Sequence, residues 1–275
     1  MAASAALLFA AAAAAGQIHP GYRGMSLELD RDHALYIAPD DRVDAIAVDE
    51  RGEVAGSFMH LLRVAGVERS SSDPTKSVVQ LELTISEAQY LENARRSGSV
   101  RIALRKKGDQ EHASPERVSW KALRPGLKPR KKPEPVCGAA SSISEEQRLA
   151  LIAKVQSRMK ESDRALSLPV ASAQAASLKP GDLIDIIATL DAAPARPGGR
   201  PGKATLTVLQ AVRVIDVRAS ECRADQSVLL LAFNDYSAQY AALAWEGAEV
   251  QILLRAAGDA EQHRIEPAGS EQLWR

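Results

Sequence analysis

An internal repeat is the feature that most constrains this chain. Residues Arg23–Val48 align without a gap on Arg164–Thr189, at positions 141 residues apart, and Phe58–Asp109 align on Val208–Asp259, at positions 150 residues apart. The nine extra residues of the second copy fall in the Pro- and Gly-rich segment 193–202, where a surface loop tolerates added length. A repeat over most of the 275 residues predicts two copies of one module.

Each copy is organised around a turn that precedes a buried strand. The turn reads PDDRVDAIAV from Pro39 in the first copy and PGDLIDIIAT from Pro180 in the second. Proline fixes φ, and Asp40 or Gly181 follows at the position where turn conformation is required. We therefore expect the structural and interaction determinants of the two copies to be Arg23, Pro39, Asp41, Asp44, Arg164, Pro180, Gly181, Asp182 and Asp185.

Hydrophobic alternation predicts an α+β fold that is mainly β. Apolar residues with a period of two occupy Val79–Leu83 and Val100–Leu104, on either side of a helix predicted over 86–96. Thr84 with Glu87 three residues later is a capping-box pattern for that helix. The second copy repeats the strand–helix–strand pattern over 229–254. A crossover of this length permits the two flanking strands to run parallel.

Composition divides the chain into six segments. They are a signal peptide (1–16), a first repeat (17–109), a Pro- and Lys-rich linker (110–143), a lead-in helix (144–162), a second repeat (163–265) and a tail (266–275). The first fifteen residues are apolar and end in alanines before Gly16, which favours an export signal. No Lys or Arg precedes Arg23, so the alternative is an Ala-rich disordered or helical start, or a misassigned first Met.

The segment between the repeats is expected to be a spacer followed by a helix. Prolines alternating with Lys and Arg over 125–135 favour a solvated, polyproline-like conformation. Ser144 with Gln147 then caps a helix of about eighteen residues. Its predicted apolar stripe is Leu149, Ile152, Val155 and Met159.

Charge and aromatic content argue against a nucleic-acid partner. Lys plus Arg equals Asp plus Glu, at 35 each, and aromatic residues make up 4% of the chain. One basic run stands out around Arg117 and Lys121, and its candidate residues for contact with a wall polymer or partner are Lys128, Arg130, Lys131 and Lys132. A solvated linker or contact with an anionic wall polymer, lipid head groups or an acidic partner are the open interpretations.

Catalytic, metal and cofactor chemistry are not indicated by the motifs. The repeated acids have a plain role, because aspartates at turn–strand junctions accept hydrogen bonds from backbone N–H groups. No histidine has a counterpart in the other copy, and metal-ligand spacings and phosphate-binding glycine loops are missing from the sequence. We therefore expect no enzyme activity and no cofactor. Cys137 and Cys222 could form one disulfide or remain two thiols.

With these residues in view, the chain resembles the CpaB/RcpC family of Flp (Tad) pilus assembly proteins. The resemblance rests on PGYRGMSLEL, APDDRVDAIAV and the segment 79–109 in the first copy, and on DRALSLPV, KPGDLIDIIAT and the segment 229–259 in the second. Two departures are the presence of two units where family members usually carry one, and Asp40 in place of the expected turn glycine. The first part of each unit looks like a SAF-type β-clip domain, followed by an RcpC-type β-α-β part.

The resemblance implies a non-enzymatic periplasmic component of a pilus or secretion apparatus that acts near the outer-membrane secretin. Its implied partners are the secretin and other pilus assembly proteins, and it could pack into a homo-oligomeric ring. A peptidoglycan- or carbohydrate-binding envelope module is the alternative function. An enzyme that uses a SAF-type substrate lid is disfavoured, because no stretch of the chain is left for a catalytic domain.

Overall fold

A single antiparallel sheet organises the whole chain. The computed structural model describes residues 18–70, 73, 75–111, 117–123, 127–129, 143–192, 202–221, 223–256, 258–262 and 268–269. Within them, thirteen strands join one sheet, and every strand pairing is antiparallel. The prediction of a mainly β fold is confirmed.

The first half of the chain supplies one end of the sheet. Its elements are β1 (Arg23–Asp30), α1 (Arg31–Ala34), β2 (Arg42–Asp49), β3 (Val54–Arg69), β4 (Lys76–Leu83), α2 (Ile85–Ser97) and β5 (Gly98–Arg105). The strands lie in the order β1-β4-β3-β2-β5, so β1 is an outer edge and β5 faces the rest of the molecule.

A connecting segment follows and then the second half. The connecting elements are β6 (Val118–Ser119), α3 (Trp120–Leu123), β7 (Leu127–Lys128) and α4 (Glu145–Arg158). The second half contains β8 (Arg164–Ala171), α5 (Ser172–Ala175), β9 (Leu183–Ala192), β10 (Gly202–Ala219), β11 (Gln226–Phe233), α6 (Asp235–Gly247), β12 (Glu249–Leu254) and β13 (Ala268–Gly269). Its order, β8-β11-β10-β9-β12, repeats that of the first half.

The two halves meet edge to edge through β5 and β8. Leu104 pairs with Ala165, and Arg105 pairs with Arg164. Two clusters of buried apolar side chains each draw on both halves, so neither half encloses its core alone. Burial of apolar surface therefore holds the halves together in addition to the strand pairing.

The parallel arrangement that the crossover length permits does not occur around either helix. Strands β4 and β5 are separated by β3 and β2, and alternation along this antiparallel path leaves them antiparallel to each other. The local signals did identify the helices: Thr84 and Glu87 form a complete capping box on α2, and the Asn234 side chain accepts a hydrogen bond from the Ser237 N–H at the start of α6.

The described part of the predicted linker contains packed residues that the linker prediction did not anticipate. Of the polyproline-like spacer expected over 125–135, residues 127–129 are described, and Leu127–Lys128 form β7, which pairs with β9. Trp120 is 1% exposed, and its indole Nε1 donates a hydrogen bond to the carbonyl oxygen of Gly52 at 3.0 Å. Val118 is also buried, and β6 pairs with β3. Because this region is rich in Pro and Lys, its composition did not indicate the short segment around Trp120 that packs on the first half.

The lead-in helix is shorter than predicted and lies against both halves. It ends at Arg158, and of its predicted stripe Ile152, Val155 and Met159 are buried whereas Leu149 is half-exposed. Arg148 donates a hydrogen bond to the first half, at the carbonyl oxygen of Ile37, and Arg158 donates one to the second half, at the carbonyl oxygen of Ile215. No helix within the described residues has the length and apolarity needed to cross a bilayer.

The packing of Trp120 generates a stability prediction. Replacing Trp120 with alanine removes a fully buried ring and its hydrogen bond, so we expect the free energy of unfolding in urea to fall by about 3–5 kcal/mol. The control is Leu123→Ala in the same short helix, whose side chain is exposed and whose loss should change it by less than about 0.5 kcal/mol. Equal effects of the two substitutions would contradict the anchored segment.

Candidate functional site

The two organising turns share one hydrogen-bond geometry. The Asp41 carboxylate accepts a hydrogen bond from the Ala38 N–H at 2.8 Å, and the Asp182 carboxylate accepts one from the Lys179 N–H at 2.9 Å. These are the structural roles that aspartates commonly take in turns. Both acids are therefore engaged in holding the backbone of their turn.

The residue after each turn proline adopts the left-handed conformation. Asp40 has φ of 68° and Gly181 has φ of 97°, while Pro39 and Pro180 are exposed beside them. Aspartate tolerates this region better than most residues, which explains how Asp40 replaces glycine. Its carboxylate also binds the Arg63 guanidinium, with an Nε–Oδ1 distance of 2.8 Å.

A buried ion cluster lies where β5 meets β8. Asp44 has no exposed surface, and its Oδ2 lies 2.8 Å from Nη1 of Arg105 and 2.5 Å from Nε of Arg164. Asp109 completes the cluster, with its Oδ2 2.6 Å from Nη1 of Arg164 and 3.0 Å from Nη2 of Arg105. Two carboxylates thus face two guanidinium groups, and one of the four side chains comes from the second half.

The electrostatics of Asp44 keep it ionised. Burial by itself would raise the pKa of Asp44, but the His60 ring 3.6 Å away, the hydrogen bonds from Arg105 and the charge of Arg164 outweigh it and lower the pKa to about 2. The Leu61 N–H adds a hydrogen bond at 3.0 Å. A carboxylate that is so completely paired is a poor general base, because its proton affinity is low and its oxygens are occupied.

One metal-ligand combination occurs among the described residues, formed by Asp44, His60 and Asp235, whose ligand atoms lie within 4.8 Å of one another. The two guanidinium cations of Arg105 and Arg164 contact the same carboxylate of Asp44. They repel a further cation and occupy both carboxylate oxygens. We therefore interpret Asp44 as a member of the ion cluster and not as a metal ligand.

The second half contains a partial copy of the cluster near its outer edge. Asp185 accepts a hydrogen bond from the Ala211 N–H at 2.9 Å and lies 3.0 Å from Nε of Arg255. Asp259 lies 3.6 Å from Nη1 of the same arginine. The sequence counterpart of Arg164 is Arg23, which is exposed at the start of β1 and donates a hydrogen bond to the carbonyl oxygen of Tyr22.

The structure brings together some predicted residues and leaves others apart. Asp44 and Arg164 meet, whereas Asp41 and Asp182 remain in separate turns. Arg105 and Asp109 were not singled out, although their 150-residue spacing from Arg255 and Asp259 was a usable signal. Lys128 is exposed on β7, which pairs with β9; the predicted contacts Arg130, Lys131 and Lys132 and the two cysteines lie outside the described residues.

Comparison with known families supports a pilus assembly role. Residues 153–261 match the family model described as Flp pilus assembly protein RcpC/CpaB. The matched segment is less than half of the chain and contains Arg164, both acids of the second organising turn and all of α6. Neither a curated protein nor a solved structure matches the chain.

The balanced charges of the cluster generate a prediction about stability. Replacing Asp44 with asparagine leaves two buried arginines facing one carboxylate, so we expect the free energy of unfolding to fall by about 3–5 kcal/mol. The matched control is Asp185→Asn, which removes a carboxylate from a partly exposed group with one guanidinium. We expect that control to cost roughly 1 kcal/mol. Similar losses for the two variants in urea unfolding would show that the cluster is not a special feature of the junction.

The buried turn carboxylate generates a prediction about pH. Burial raises the pKa of Asp41 from 3.8 to about 6, against the opposing hydrogen bond from Ala38. The folded chain therefore keeps a proton that the unfolded chain releases, and this residue's contribution to stability is present below pH 4 and lost as pH rises through 6. Between these limits we expect a decrease of at most about 3 kcal/mol from this group.

Substituting Asp41 with asparagine isolates this contribution, because asparagine keeps the acceptor for the Ala38 N–H and does not titrate. The free energy of unfolding is measured in urea at several pH values. As pH rises from 4 to 7, the value for the variant should increase relative to that for the unmodified chain, because only the unmodified chain loses the contribution of Asp41. A difference between the two proteins that does not change with pH would contradict the assignment.

Proposed function

We propose that this chain is a non-enzymatic assembly component of a Flp/Tad-type pilus or secretion apparatus. The observation that carries the proposal is the match of residues 153–261 to the Flp pilus assembly model. The described chemistry supports it, because the repeated acids serve turns and the buried ion cluster rather than a cleft with available acid and base groups. Such a protein acts through its surfaces.

The proposed location is the periplasm, next to the outer-membrane secretin, with residues 1–16 acting as an export signal. The strands β1 and β12 lie at the two ends of the sheet path, and free strand edges are suited to docking by strand addition or to packing into a homo-oligomeric ring. The proposed structural determinants of these surfaces are the residues of the two turns and the opening strands, Pro39 and Pro180 among them.

The proposed origin of the fold is a tandem duplication of one module, in which a SAF-like β-clip precedes a β-α-β part. Three correspondences support this. The strand order is the same in both halves, the aspartates 41 and 182 make the same turn contact, and Leu61 and Ala211 both have positive φ, at 58° and 55°, where they donate to Asp44 and Asp185.

Co-purification with a defined partner tests the proposed function. Tagged chain, recovered from its native cell after mild cross-linking, should carry the outer-membrane secretin of the pilus system, detected by mass spectrometry. A strain without that secretin provides the specificity control. Recovery of the chain from the periplasmic fraction, with a mature N-terminus after residue 16, is the expected companion result. A cytoplasmic chain with no pilus component bound would overturn the proposal.

A second candidate function is binding to peptidoglycan or another anionic wall polymer. The observation in its favour is that Arg117, Lys121 and Lys128 are all exposed in the connecting segment. Binding of purified chain to isolated sacculi should then disappear at about 1 M salt, where the screening length is roughly 3 Å. Secretin docking that buries apolar surface should persist under the same conditions, which separates the two functions.

A further inference from the structure

We propose that copies of this chain associate head to tail, with β12 of one copy pairing with β1 of the next. The new junction would repeat the internal β5–β8 junction, so that Arg23 of the second copy enters the acidic pair Asp185 and Asp259. The partner is a second copy of this chain. This inference rests on the homo-oligomeric ring of the proposed function and gives that ring a defined interface.

The internal junction provides the template. It consists of an antiparallel strand pairing, in which Leu104 lies opposite Ala165, and of an arginine from β8 that reaches two aspartates of the first half. Through the two sequence offsets, β12 corresponds to β5 and β1 corresponds to β8. The chain therefore carries both sides of the same junction a second time, at opposite ends of its sheet.

The β12 end exposes apolar side chains whose counterparts at the β5 end are buried against the second half. Leu253 and Leu254 are each 49% exposed, whereas their counterparts Ala103 and Leu104 are 0% and 2% exposed beneath the second half. Two adjacent half-exposed leucines at a strand edge favour association with another strand. The required partner edge would cover them as β8 covers β5.

The β1 end has the complementary features. Arg23 and Gly24 are exposed, while their counterparts Arg164 and Ala165 are each 2% exposed. Beside them is a largely apolar groove of about 740 Å³ between β1 and α2, with Met25 and Ala88 in its lining. The corresponding surface between β8 and α6 is filled by the first half of the chain, since α6 packs on β2 and β3.

Charge complementarity selects Arg23 as the incoming group. The internal cluster balances two carboxylates with two guanidinium groups, whereas Asp185 and Asp259 contact the single guanidinium of Arg255 in the described structure. One further arginine would complete the same two-to-two balance. Such a charge-assisted, bidentate contact adds specificity of register to the strand pairing.

Helix α2 is more polar than α6 at the equivalent positions. We therefore expect the paired strands β1 and β12 to supply most of the contact between copies. Glu92, Asn93 and Arg96 occupy positions where α6 has Ala242, Leu243 and Glu246. We therefore expect association weaker than the internal packing. Because the two contacting surfaces are different, the interface is heterologous and builds a closed ring or an open filament, according to the rotation between copies.

Light scattering coupled to size exclusion tests this interface on the purified full chain. At about 100 μM, where a micromolar Kd is saturated, the unmodified chain should form species larger than a monomer. Arg23→Glu should be monomeric because the new carboxylate repels Asp185 and Asp259. Leu254→Glu should be monomeric because it places a charge on the apolar β12 end. Asp259→Lys is a second variant of that end. The control, Arg51→Glu, reverses an exposed arginine in the β2–β3 turn, outside β1 and β12, and should associate normally.

Mixing the two disabled chains gives the decisive result. Arg23→Glu retains a working β12 end and Leu254→Glu retains a working β1 end, so the mixture should form a one-to-one heterodimer and nothing larger. A monomeric unmodified chain, unchanged association of Arg23→Glu, or a mixture that stays monomeric would each overturn the inference. None of these results bears on secretin co-purification, so the two proposals fail separately.

Discussion

The contact between Asp44 and Arg164 is the constraint on which the rest of the structure depends. A carboxylate without exposed surface is tolerated only when it is paired, and here it is paired both with Arg105 of the same half and with the Arg164 guanidinium of the other half. The adjacent pairing of Leu104 with Ala165 fixes the register of that contact. Folding of the first half and docking of the second are consequently linked.

This linkage explains why the two halves form one continuous sheet and are not two independent domains joined by a flexible linker. Trp120 anchors the connecting segment to the first half, and α4 donates hydrogen bonds to both halves through Arg148 and Arg158. Both apolar clusters cross the junction. A body held in this way presents fixed strand edges, which is a useful property for a component of an assembly.

Local features were predictable from the sequence, and contacts between distant segments were not. Alternation identified the strands, and Thr84 with Glu87 identified the start of α2, because these signals depend on neighbouring residues. The repeat singled out Asp44 and Arg164 separately, but it relates equivalent positions in two copies and cannot show that one residue from each copy will meet. The packing of Trp120 was missed because basic and proline residues dominate its surroundings. The parallel arrangement that the crossover length permits did not form, because crossover length does not determine which strands become neighbours.

A double-mutant cycle between Asp44 and Arg164 tests the central claim most directly. The unfolding free energies of the unmodified chain, Asp44→Asn, Arg164→Gln and the double variant give the coupling energy of the pair. The structure predicts a favourable coupling well above about 1 kcal/mol, because the two groups are buried and in contact. A coupling near zero would mean that the halves do not meet through this pair, and it would contradict the account.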